Sequence, residues 1–165
     1  MIGPVLLALL ALQAAAPPAP TPTPVAPVVI EPPRDAPKLV RSYPAAGGDP
    51  AFGVLVLTLA FDQPMDPASA PAALGPDAPD CRPSWRLLAD RKTFVRLCSL
   101  KAGAPAHLSL SGFRSSQAKP APAVDLAFTA DGDKVETTVA DALKSAGLRP
   151  EDEPVMDWRS PPGPG

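Results

Sequence analysis

The chain has 165 residues, enough for one ordinary domain with extensions. With 5% aromatics and a net charge of −2, it has neither a large aromatic core, nor a basic nucleic-acid footprint, nor the excess of acid that keeps a chain solvated. Its 26 prolines crowd residues 17–37 and recur in loops, so those stretches are neither helix interiors nor central strands.

In chain order, Val5–Leu12 form a short apolar block followed by Gln13-Ala14-Ala15-Ala16-Pro17. The block is about half the length of a membrane span and ends in small residues, the pattern of a cleaved secretory signal. Residues 1–16 are therefore expected to be a signal peptide cut after Ala16, with no membrane span once it is removed. The stretch before Val5 has no Lys or Arg, which such signals usually carry. No cysteine lies near the cut, so no lipid anchor is expected. Residues 17–37 read as an extended, polyproline-like linker. The stretch from Pro17 to Pro27 lacks the flanking cations and aromatics that orient a Pro-rich ligand on a partner.

From Lys38 to about residue 130 short apolar runs alternate with turn residues, the pattern of an all-β antiparallel sandwich. Leu39–Ser42 is a first strand, ended by the turn from Pro44 to Pro50. Val54–Phe61 follows, with Leu55, Leu57, Leu59 and Phe61 on one face and Val54, Val56, Thr58 and Ala60 on the other. Both faces are largely apolar, so this strand should be central. Asp62–Pro83 is proline-broken and has room for one or two edge strands. Trp85–Leu88, Thr93–Leu100, His107–Phe113 and Val124–Thr129 complete the set, and Phe94, Arg96 and Cys98 share one face of their strand.

Several of these pieces carry a family pattern. They are the Ser42–Gly47 turn, the Phe61-Asp62-Gln63-Pro64-Met65-Asp66 strand end, the Trp85 and Phe94 pair, the Leu100, Gly103 and Ala106 turn, and the closing Phe128-Thr129. In that order they resemble the bacterial Ig-like domains of surface-layer proteins, with Ala106 departing from the aromatic usual at its position. The resemblance covers about 90 residues. It implies an Ig-like β-sandwich over 38–130 and a non-catalytic role outside the cytoplasm.

The two cysteines, Cys81 and Cys98, form an even count in a chain expected to be exported, which favours a disulfide over two free buried thiols. A catalytic thiol is not expected, because His107 is the only histidine and nothing evident in the sequence orients it. Asp62, Asp66, Asp77 and Asp80 fall near turns. Their spacing is not that of an EF-hand, so they read as turn formers rather than Ca²⁺ ligands. No cofactor or metal is expected, and no phosphate loop, zinc spacing or Ser-His-Asp arrangement is present.

Residues 131–165 form an acidic tail. The spacing of Val135, Val139, Ala142, Leu143 and Ala146 predicts a helix over about 136–146, capped by Thr138 and stopped at Gly147. So short a helix needs a docking site, on its own domain or on a partner, or it stays partly disordered. Two surfaces stand out for interaction. One is the basic group Arg82, Arg86, Arg91, Lys92 and Arg96, and the other is the apolar end Val155, Met156 and Trp158. The whole reads as an exported structural or protein-interaction module of the bacterial periplasm or cell envelope, whose partner is an envelope protein or polysaccharide and not a nucleic acid. A carbohydrate- or ligand-binding sandwich, or an accessory or inhibitor domain of an envelope enzyme, are the alternatives.

Overall fold

The computed structural model describes residues 14–27 and 35–154. Residues 1–13 of the expected signal peptide lie outside the described residues, as do Val155, Met156 and Trp158. Residues 14–27 are exposed, carry no helix or strand, and belong to a unit of their own ending at Pro32. A second unit begins at Pro33 and holds every strand and helix among the described residues.

That unit is mostly β, in two antiparallel-based sheets with one short helix. The larger sheet is built on β2 (Phe52–Phe61) and β5 (Thr93–Leu100), paired antiparallel from Gly53 opposite Leu100 to Ala60 opposite Thr93. β1 (Leu39–Tyr43) runs along the far end of β2's outer edge, while β3 (Asp80–Cys81) and β4 (Arg86–Leu87) both pair with β5. The smaller sheet joins β6 (Pro105–Leu110) and β7 (Val124–Thr129). The apolar alternation predicts β6 over His107–Phe113. The strand instead ends at Leu110, because the chain turns at Gly112 (φ +105°), and Phe113 enters the core from the following loop.

Period-two alternation decides which side chains meet. Leu55, Leu57, Leu59 and Phe61 of β2, with Phe94 and Cys98 of β5, face Leu108, Leu110, Val124, Leu126 and Phe128 of the smaller sheet in one buried cluster. Val56 and Val95 point the other way and are also buried, against Leu88, Ala142 and Leu143. The central strands are thus covered on both faces, as the double-apolar pattern of β2 requires.

The cover on the second face is the tail. Helix α1 (Val139–Ser145) begins at Thr138, whose hydroxyl oxygen accepts from the Asp141 amide at 3.2 Å. It ends at Gly147 (φ +71°), where the Leu148 amide donates to Leu143 O at 2.9 Å. Ala142 and Leu143 are buried, and Val139 and Leu148 pack beside them. The helix therefore docks in cis. It starts later than residue 136 because Val135 and Glu136 are not helical: they form β8 (Val135–Glu136), parallel to Phe52–Gly53 of β2. Asp131 sets this up. Its carboxylate accepts from the Asp133 and Lys134 amides, turning the chain so that Lys134 O takes the Phe52 amide. Gly53 (φ +94°) is what admits β8, since a Cβ there would lie 2.2 Å from Glu136 O. Val135, counted on the helical face from its spacing, is 53% exposed instead.

Candidate functional site

Residues 62–92 connect β2 to β5 and hold most of the chain's unusual chemistry. The segment leaves the larger sheet, lines the edge of β6, and returns as β3 and β4. On the β6 edge, the Ser109 amide donates to Leu74 O and the His107 amide to Asp77 O, both at 3.0 Å. On the return, Cys81 sits opposite Cys98 and the two are joined by a disulfide, as their even count suggested.

Three alternate residues on the inward face of β5 grip this crossover. Phe94 belongs to an aromatic group with Phe61, Phe113 and Trp85, with ring centroids 5.2–6.3 Å apart. Cys98 holds it covalently. Between them Arg96 is 4% exposed, and its guanidinium donates to the carbonyls of Arg82, of Ala72 at 3.0 Å and of Pro71 at 3.4 Å. It also lies over the Trp85 ring, 5.4 Å from its centroid, and the Trp85 indole N–H donates to the same Pro71 carbonyl at 2.8 Å. Burial pulls the Arg96 pKa below the ordinary guanidinium value. The ion stays charged, since a guanidinium titrates far above neutrality, and it is satisfied by carbonyl dipoles.

This placement divides the basic group expected to form one surface. Arg96 is an interior hub and presents nothing to a partner. Arg86 is half-buried, and its guanidinium donates to the carbonyls of Glu151, at 3.2 Å, and of Glu153, clasping the tail. Arg82, Arg91 and Lys92 are exposed, Arg91 with a left-handed backbone (φ +61°) in the turn before β5. The signal for Arg96 was present: it alternates with Phe94 and Cys98, so an inward Phe94 puts it inside as well.

The other candidates are dispersed. Asp66 caps the short turn Pro67–Ser69 by accepting from the Ala68 amide at 2.9 Å, and Asp62 accepts from the Lys38 amide at 3.0 Å. Among the described residues no group of three His, Cys, Asp or Glu side chains is placed to hold a metal ion. His107, for which the residue pattern offers no partner, pairs with Asp125 on the neighbouring strand, and both side chains are substantially exposed. His107 lines an open groove of about 590 Å³ together with Gly48, Asp49, Asp77, Ala127 and Thr129.

A second groove lies between the end of β1 and β8, and no residue pattern announces it. Tyr43, Glu136 and Ser145 converge there from three elements, and the Ser145 hydroxyl donates to the Glu136 carboxylate. Burial raises the Tyr43 pKa and the Glu136 charge adds to it, offset in part by a hydrogen bond with Ser145. These groups satisfy one another and tie the last turn of α1 to the sheet edge.

No family model, curated protein or solved structure matches this chain. The surface-layer Ig resemblance therefore rests on the motif order alone. No helix among the described residues is long and apolar enough to cross a membrane.

Proposed function

We propose that the chain is an exported, non-catalytic module with an Ig-like sandwich fold, acting as a structural or protein-interaction domain in the bacterial periplasm or cell envelope. The observation that carries this reading is the Cys81–Cys98 disulfide, which is at home in an oxidising compartment and rare in a reducing one. Two sheets sharing one core, with the motif order described above, favour the Ig-like assignment. Contact would be made through exposed Arg82, Arg91 and Lys92 and through the segment Val155, Met156 and Trp158.

The packing of the aromatics favours this over the carbohydrate-binding alternative. Sugar platforms need rings laid open on a surface, whereas Phe61, Phe94, Phe113 and Trp85 pack edge-on or tilted within one cluster. The test is compartment fractionation with thiol trapping and N-terminal sequencing. Export predicts a mature N-terminus at Pro17 and no maleimide-reactive cysteine in the envelope fraction. A cytoplasmic, uncut and thiol-reactive protein overturns the reading, and catalytic turnover by the purified protein overturns its non-catalytic part.

A further inference from the structure

We propose that the Cys81–Cys98 disulfide is a redox latch on the edge of β6: reducing it opens residues 73–81 locally while the rest of both sheets stays folded. The crossover is gripped at both ends of this stretch by groups other than the disulfide. Arg96 holds the carbonyls of Pro71 and Ala72 on the outgoing arm and that of Arg82 on the return, and Trp85 holds Pro71 a second time. Between these grips the anchoring is thin. Of residues 73–81 only Leu74 is buried, and Pro76 and Pro79 have no amide to donate. What remains is the two-residue strand β3, the disulfide, the packing of Leu74 and Ala78 against the core, and the pair of hydrogen bonds from Ser109 and His107 to Leu74 O and Asp77 O.

A dithiol supplies the chemistry. One thiolate attacks the Cys81 sulfur, half-buried where Cys98 is 4% exposed, and forms a mixed disulfide as the Cys98 thiolate leaves and takes a proton. The second thiol displaces Cys81, leaving two protein thiols and the reductant oxidised to its own disulfide. Opening then leaves the amides of His107 and Ser109 unpaired at a strand edge, a template onto which an extended chain adds. The latch is a property of the purified chain, so it stands or falls independently of export.

The experiment is residue-resolved amide hydrogen exchange on the full chain, oxidised and after dithiothreitol. His107 and Ser109 should exchange faster by up to about two hundredfold, the ceiling set by the chain entropy of a loop closed across 17 positions, while Leu55–Leu59 and Phe94–Arg96 keep their protection. Cys81→Ser with Cys98→Ser should reproduce the reduced pattern without reductant. Loss of protection in β2 and β5 together with β6 would overturn the latch in favour of a staple holding the whole fold. Unchanged exchange at His107 and Ser109 would overturn it from the other side, and so would a double-serine variant that does not fold.

Discussion

Replacing Arg96 by Met tests whether an interior cation organises the crossover. The guanidinium is 4% exposed and donates to the carbonyls of Arg82, Ala72 and Pro71. Pro71 O would keep its bond from the Trp85 indole, so two carbonyls, those of Arg82 and Ala72, lose a donor. Each lost charge-assisted bond is worth about 1.5–3 kcal/mol, and the cation–π contact is lost as well. Because a charge no longer has to be buried, the net destabilisation is about 2–4 kcal/mol. Urea unfolding should show the midpoint falling by roughly 1–2 M at unchanged slope. Arg96→Lys should not restore it, because one ammonium on a single stem lacks the planar fork that spans both arms of the crossover. A midpoint shift of less than about 0.3 M for Arg96→Met would refute the hub, since it would leave the three carbonyls adequately served without the guanidinium.

Phe61→Ala should cost about 3–5 kcal/mol in thermal or urea unfolding, because the ring is 2% exposed and packs 5.2 Å from Phe113 and 6.2 Å from Phe94. Near-normal stability would contradict its inward position on β2. Thr138→Ala removes the α1 cap and should cost about 1 kcal/mol, read as faster amide exchange at Ala142 and Leu143 rather than in β5. Equal acceleration in both would place the helix in the same cooperative unit as the sheet. Arg91→Gly should be neutral or stabilising by up to about 1 kcal/mol in the same unfolding assay, since Arg91 occupies φ +61°.

Acid stability follows from Asp90. Burial pushes its carboxyl up, but hydrogen bonds from the Thr93 hydroxyl at 2.6 Å and from the Lys92 and Thr93 amides, with the Lys92 charge, outweigh burial and hold the pKa below the ordinary value. A depressed carboxyl contributes stability that is whole above the unfolded-state pKa of about 3.9 and is lost as pH falls through the lower folded value. Unfolding curves for wild type and Asp90→Asn should therefore differ at pH 6 and converge toward pH 2. A gap that persists unchanged in acid would show that Asn damages the turn by some route other than charge.

Local periodicity and turn chemistry are legible in the residues alone. Alternation placed β2, β5 and β7 and sorted their side chains by face, and the Thr138 and Gly147 caps bracketed the helix. An even cysteine count pointed to the pairing of Cys81 with Cys98. What covers each face, and which backbone groups meet, follows only from the path of the folded chain. Two-residue strands such as β3 and β8 carry no period of their own; β8 exists because Asp131 turns the chain and Gly53 leaves room for it. The charges of Arg82, Arg86, Arg91, Lys92 and Arg96 lie close in sequence, yet the pleat and the docked tail send them to the core, to the tail and to solvent. Arg96 is the sharpest case: its partners are main-chain carbonyls, which no residue identity advertises and only the folded path of the crossover brings within reach.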